Sequence, residues 1–115
     1  MLLTSVGLHA RAGGYFEDGY TLLQLCQADQ RLEQAMTLRE QGHAALDAGK
    51  CAGYIEGVID GLTTEGLLSC IPNIHEGQAE HVVRGFLAAH TELLHEPAPQ
   101  LVGMALRQVF RCGQR

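Results

Sequence analysis

Histidine and cysteine are the residues of this sequence whose side chains could hold a metal or carry out catalysis. The chain has six histidines, and His75, His81, His90 and His95 lie close together in sequence. No two histidines have the i, i+4 spacing, and there is no HExxH motif or accompanying carboxylate cluster of the kind that binds zinc. The sequence therefore predicts no metal site and no cofactor.

The four cysteines are dispersed along the chain. Cys26, Cys51, Cys70 and Cys112 are separated by 25, 19 and 42 positions and contain no CxxC pair. Widely spaced cysteines in even number are typical of two disulfides, but four cysteines allow three pairings, and the sequence does not choose among them. Disulfides indicate an oxidising compartment. Four reduced thiols in a cytosolic domain are the alternative interpretation.

Motifs of nucleophilic or nucleotide-dependent catalysis are missing from the sequence. A cysteine held in a disulfide is not available as a nucleophile, so pairing would remove all four candidates. The chain has no GxSxG elbow, no phosphate-binding P-loop and no GxGxxG motif. We therefore interpret the protein as a binding protein rather than an enzyme.

Composition excludes two further classes of function. Lys and Arg total 8 against 13 Asp and Glu, which gives a net charge of −5 and disfavours nucleic acid as a partner. No apolar run is long enough to span a bilayer. With 46 % hydrophobic residues, the 115 residues can form the core of one domain.

The first residues resemble the end of a secretory signal. Residues 1–12 contain a short apolar stretch followed by Ala10 and Ala12, the small-residue spacing of a signal peptidase site, but no basic region precedes it. We interpret 1–12 as a possible signal remnant and 13–115 as a single folded domain. An ordinary chain start is the alternative.

Apolar spacing predicts an all-α domain, because several stretches repeat at helical intervals and none alternates as a strand would. We expect an irregular bundle of about five helices, stapled by two disulfides. On the second helix, Leu32, Ala35 and Met36 are expected to face the core, and Gly49 is expected to end it. The expected helices span residues 16–26, 29–48, 51–62, 75–94 and 97–112.

Three glycines repeat every four residues in the third predicted helix. Gly53, Gly57 and Gly61 form a stripe without side chains. A glycine inside a helix costs about 1 kcal/mol relative to alanine, so three in register indicate a structural reason. We expect another helix to pack closely against this stripe.

The order of these motifs resembles the Rap/Tai-like immunity proteins of bacterial type VI secretion. The resemblance runs from residue 16 to residue 112 and is carried by CAGYIEGVID at 51–60, CIP at 70–72 and FRC at 110–112. The chain departs from the family pattern at His75, where a Ser or Thr helix cap is usual, and at Thr91 and Arg111, where proline is usual. These departures concern helix ends.

The resemblance implies a helical, disulfide-bearing periplasmic protein without catalytic activity. Such a protein binds a secreted peptidoglycan amidase, a cysteine hydrolase, and blocks it, which protects the producing cell and its kin. Family members often act as homodimers. A structural or binding module of the cell envelope without a toxin partner, or a small metal-binding enzyme, are the alternative functions.

An inhibitor needs a rigidly held segment that fills the enzyme's cleft. The connection after the glycine-striped helix is our candidate, with Glu65 placed to meet a basic group or a catalytic imidazole, and Leu67 and Leu68 as apolar anchors. The alternative is that both leucines belong to the core. The candidate effector-binding loop comprises Thr63, Thr64, Glu65, Gly66, Leu67, Leu68 and Ser69.

Overall fold

A computed structural model describes residues 17–66 and 74–110, and within them every regular element is a helix. The only bridge of strand type in this part of the chain joins Asp18 and Pro97. A short 3₁₀ turn at Thr91–Leu93 precedes the last helix. The predicted all-α class is confirmed. The helices are α1 (Gly19–Cys26), α2 (Ala28–Gln34), α3 (Leu38–Thr64), α4 (Glu76–Ala89) and α5 (Ala98–Phe110).

The boundaries of the predicted helices are corrected by the structure. Gly49 does not end a helix, because α3 continues through it as one 27-residue helix. The break lies earlier, at residues 35–37, where Thr37 caps the start of α3. Gln27 alone separates α1 from α2, so these two form one interrupted segment. The part of the chain that the structure describes therefore has four helical segments rather than five.

The core is formed by one side of each of four helices. Its centre is α5, which buries Leu101, Val102, Ala105 and Leu106 on a single face. Leu22 of α1 and Ile55 of α3 pack into the same cluster. Apolar burial of this kind is the main source of stability in a domain of this size. The remaining buried members are Cys26, Cys51, Ala79, Val83, Phe86, Leu87, Leu94 and Ala98.

The beginning of α1 is held against the segment before α5. The Gly19 amide donates to the Glu96 carbonyl at 3.1 Å, and the Ala98 amide donates to the Glu17 carbonyl at 3.0 Å. This pairing brings Gly19 so close that a Cβ there would lie 2.6 Å from Leu101 Cδ1 and 2.8 Å from the Leu94 carbonyl oxygen. Only glycine fits this position without a shift of the backbone.

The glycine stripe on α3 lies on the opposite side from the core. Gly53, Gly57 and Gly61 are exposed, and apart from the neighbouring backbone of the helix itself no described atom lies within 4 Å of the place a Cβ would take at any of them. The expected helix against this stripe is therefore not found among the described residues. The physical reason is that α3 uses its other side, with Cys51 and Ile55, to contact the core.

Residues 27–50, here called the arm, contribute no residue to this cluster, although Ala28 and Ala44 within the arm are buried. A disulfide joins Cys26 to Cys51 at its base, with the two Cα atoms 5.0 Å apart. This bond agrees with one of the pairings that the sequence left open. Cys70 and Cys112 lie outside the described residues, so the second disulfide stays a prediction.

A few hydrogen bonds and ion pairs also hold the arm in place. Arg31 pairs with Asp47 at 2.9 Å, and its guanidinium also donates to the Gln24 carbonyl at 3.0 Å. At the base, Arg84 of α4 donates to the Cys26 carbonyl at 3.4 Å. Partly exposed ion pairs contribute at most about 1 kcal/mol each, whereas closing a loop of this length contributes about 3–4 kcal/mol. The disulfide is therefore a stronger constraint on the arm than these polar contacts, and it acts together with the continuous helix α3.

Replacing Gly19 with alanine tests the close approach at the start of α1. We expect Gly19→Ala to lower the free energy of unfolding by about 1–3 kcal/mol, because the new methyl group overlaps Leu101 and the Leu94 backbone. Gly85→Ala is the matched control, since Gly85 is exposed within α4 with open space around it. The control should raise stability by about 0.5–1 kcal/mol. Urea denaturation measures both, and equal effects would contradict the account.

Removing the disulfide should loosen the arm before the core. We expect Cys26→Ala/Cys51→Ala to lower stability by about 3 kcal/mol. Amide hydrogen exchange should quicken most in residues 28–50, because no residue of this segment belongs to the main buried cluster. The internal control is α5, whose amides should change far less. Uniform acceleration along the whole chain would show that the arm does not depend on this bond in particular.

Candidate interaction surfaces

The described half of the predicted effector-binding loop lies at the carboxyl end of α3. Thr63 and Thr64 are the last helical residues, Glu65 caps the helix, and Gly66 has a φ of +78°. All four are exposed. The Gly66 amide donates to the Thr63 carbonyl at 2.9 Å, which closes a tight turn. Leu67, Leu68 and Ser69 lie outside the described residues.

The turn at Gly66 has a physical consequence for its neighbour. Side-chain-bearing residues rarely adopt a positive φ, so glycine is suited to this position. Because Glu65 is attached directly to the last turn of a long helix, its backbone is ordered before any partner binds. An exposed carboxylate on an ordered helix end can accept hydrogen bonds from a cationic or imidazole group with little loss of conformational entropy.

A second exposed feature is the tip of the arm, where α2 turns into α3. Met36 is 86 % exposed and Leu38 is 84 % exposed, so neither packs into the core. Leu32 is also exposed. The expectation that Leu32 and Met36 face the core is wrong, because α2 contacts the arm half of α3 and not the domain centre. Beside them lies a recess of about 400 Å³, bordered by Ala35, Arg39 and His43.

A capping box holds this tip in one conformation. The Thr37 hydroxyl accepts a hydrogen bond from the Glu40 amide at 3.1 Å. The Glu40 carboxylate accepts in return from the amides of Met36, at 2.7 Å, and Thr37, at 3.1 Å. These amides hold the pKa of the Glu40 carboxyl below its ordinary value, since hydrogen bonds from backbone N–H groups stabilise the charged form.

The charge of the recess depends on which charged side chains already have partners. The Glu40 carboxylate faces the backbone of the turn, and Arg31 is already paired with Asp47. Arg39 and His43 then set the polarity of the recess. The capping box is recognisable in the sequence, where Glu40 follows Thr37 by three residues, but it was not predicted.

The histidines do not gather into a site in the part of the chain that the structure describes. No group of three or more potential metal ligands is present among residues 17–66 and 74–110. The His90 ring stacks on Phe86 with centroids 4.1 Å apart, and its Nδ1 donates to the Phe86 carbonyl at 2.8 Å in the matching tautomer. These contacts give His90 a packing role at the end of α4.

Burial shifts the pKa of Tyr54. Tyr54 of α3 is partly buried against the core, and this desolvation raises the pKa of its phenol; the Glu17 carboxylate adds to the shift. Tyr54 therefore acts as a packing group at the edge of the core. No described helix combines the length and apolar character that crossing a bilayer requires.

Comparison with known proteins yields a family assignment. No curated protein and no solved structure matches the chain. A family model described as Rap1a immunity proteins matches residues 18–112, which span both the arm and all the helices. Because the match covers most of the sequence, this chain belongs to the Rap1a immunity protein family.

Proposed function

We propose that this protein is a periplasmic immunity protein that binds a secreted peptidoglycan amidase and blocks its active-site cleft. The observation that carries the proposal is the family match over residues 18–112, since immunity proteins act by binding a cognate secreted effector. The producing cell and its kin are protected because the bound amidase cannot reach its substrate.

The fold suits inhibition by occlusion. A segment that fills a cleft binds tightly when it is ordered beforehand, because less conformational entropy is lost on association. The α3 helix holds the start of this segment through Glu65 and the turn at Gly66. Residues 63–69 form the inhibitory segment in this proposal, and they continue directly from a helix anchored in the core by Ile55.

The proposed target explains why an exposed carboxylate is useful. A cysteine hydrolase carries a histidine that activates its nucleophile. The Glu65 carboxylate can accept a hydrogen bond from that imidazole, which would hold the histidine away from its catalytic role. Leu67 and Leu68 would add apolar anchors, the kind of contact that dominates binding energy at many interfaces.

The proposed compartment is supported by the disulfide. A bond between Cys26 and Cys51 is stable in an oxidising environment and is reduced in most bacterial cytosols. The signal-like residues 1–12 are consistent with export of the chain. Peptidoglycan lies in the same compartment, so an immunity protein placed there meets its effector before the cell wall is cut.

We also propose that the protein acts as a homodimer, as the resemblance to the Rap/Tai-like family implies. A dimer presents two inhibitory segments to its targets.

The double variant Glu65→Ala/Leu67→Ala tests the inhibitory segment. We expect its affinity for the cognate amidase to fall by tenfold or more, at least about 1.4 kcal/mol, because a charged contact and an apolar anchor are both removed. Calorimetry with purified amidase measures the affinity, and hydrolysis of peptidoglycan fragments measures inhibition. Gln100→Ala on the exposed side of α5 is the matched control and should bind as the parent does.

The possible results of this experiment test the binding segment and the amidase assignment separately. Unchanged affinity of the double variant would place the contact outside residues 63–69. In that case the variant Met36→Ser shows whether the arm tip binds the amidase instead, since Met36 is exposed and its replacement leaves the core intact. Absence of binding and inhibition by the parent protein would contradict the amidase assignment itself. Bound zinc together with turnover would favour the metalloenzyme alternative.

A further inference from the structure

Two successive turns of α4 contact the disulfide at the base of the arm. On the first turn, Glu80 Oε2 lies 3.6 Å from Cys51 Sγ. On the next turn, Arg84 donates to the Cys26 carbonyl at 3.4 Å and pairs with the Asp29 carboxylate at 3.6 Å. The disulfide therefore lies between a carboxylate at one of its cysteines and a guanidinium at the other.

The contact between Glu80 and Cys51 differs between the two redox states of the cysteine pair. A disulfide sulfur carries no proton, so the carboxylate oxygen has nothing to accept from it. A thiol at the same place can donate its S–H proton to this oxygen. The Glu80 carboxylate therefore gains a hydrogen bond from Cys51 only when the disulfide is reduced, and such a differential interaction shifts an equilibrium toward the state that it favours.

Burial strengthens this differential interaction. Cys51 is fully buried and Glu80 is partly buried, so little water competes for the thiol proton. A hydrogen bond to an ionised acceptor is stronger than one between neutral groups, and a low local dielectric increases its strength further. The carboxylate at this position therefore favours the reduced pair.

A recess gives a small thiol reductant access to one sulfur of the bond. Cys26 borders a recess of about 190 Å³, whereas Cys51 does not. The guanidinium of Arg84 at this recess attracts an approaching thiolate, although its pairing with Asp29 reduces the attraction. Cys26 is therefore the sulfur that a reductant attacks first. The other bordering residues are Gln27 and Gln30.

We propose that Cys26, Cys51 and Glu80 form a reversible redox site, in which a dithiol reductant cleaves the disulfide and Glu80 stabilises the product by accepting a hydrogen bond from the Cys51 thiol. A thiolate of the reductant attacks Cys26 Sγ, the S–S bond breaks, and Cys51 Sγ leaves with the electron pair and takes up a proton. The second thiol of the reductant then cleaves the mixed disulfide. Cys26 becomes a thiol, the reductant becomes a disulfide, and two electrons and two protons have passed to the protein.

Reduction at this site changes the arm and preserves the core. It removes the covalent closure of the arm, while the hydrogen bond to Glu80 keeps Cys51 in the same buried cluster as Ile55. The bond from Arg84 to the Cys26 carbonyl involves no sulfur and is available in both states. The redox state therefore decides whether the arm is fixed to the core. This inference goes beyond the proposed function, because it does not require the amidase.

The first test measures the thiol–disulfide equilibrium of the full chain in mixtures of reduced and oxidised dithiothreitol. After alkylation, peptide mass spectrometry counts Cys26 and Cys51 separately from the other two cysteines. Glu80→Leu should shift this equilibrium about tenfold toward the disulfide, because the charged acceptor is lost. Glu80→Gln keeps an acceptor oxygen and should shift it about threefold. Glu92→Leu is the matched control, since Glu92 is exposed on the 3₁₀ turn, and should leave the equilibrium unchanged.

The second test observes the hydrogen bond by infrared spectroscopy. In the reduced parent, the S–H stretching band of Cys51 should lie at a lower frequency than in reduced Glu80→Leu, because a hydrogen bond weakens the S–H bond. The reduced Cys51→Ala variant identifies the band by its absence. A role of Glu80 in packing alone would leave the frequency of this band unchanged.

Three results would overturn the proposed redox site. They are an equilibrium that neither Glu80→Leu nor Glu80→Gln shifts, an S–H band at the same frequency in parent and variant, and loss of helical circular dichroism when the parent is reduced. The glutamine variant keeps the shape of the side chain, so it decides the first result even if the leucine variant does not fold. Failure of amidase inhibition would contradict the proposed function and leave the redox site untouched.

Discussion

The disulfide between Cys26 and Cys51 joins the two parts of this molecule. Both cysteines are buried, and they connect the end of α1 to the middle of α3 at the border between core and arm. On one side of this bond the chain packs around α5. On the other side, residues 27–50 contribute nothing to this cluster, and they are held by the disulfide, by the continuous helix α3 and by the buried Ala28 and Ala44. In a domain of this size a disulfide can substitute for apolar area that a short helical hairpin cannot provide.

The long helix α3 connects the core, the arm tip and the proposed inhibitory segment. One side of it supplies Cys51 and Ile55 to the core, its amino end forms the arm tip, and its carboxyl end leads into the segment with Glu65. The remaining side carries Gly53, Gly57 and Gly61, which are exposed.

The family resemblance and the all-α class were accessible from the sequence, because motif order and helical periodicity are local properties. The helix boundaries were less accessible. Gly49 has the position of a helix end in the sequence, yet the backbone there stays helical and the glycine lies exposed in α3. The true start of α3 depends on the reciprocal hydrogen bonds of Thr37 and Glu40, a signal that the sequence contains but that the glycine pattern obscured.

The sequence by itself determined that the chain forms helices, that its cysteines can pair, that Gly53, Gly57 and Gly61 share one helix face, and that the motifs match an immunity family. Only the tertiary structure decided that Cys26 pairs with Cys51 and that the glycine face points away from the core. The physical reason is that periodicity specifies which residues lie on the same side of a helix. What covers that side depends on contacts between residues far apart in the chain.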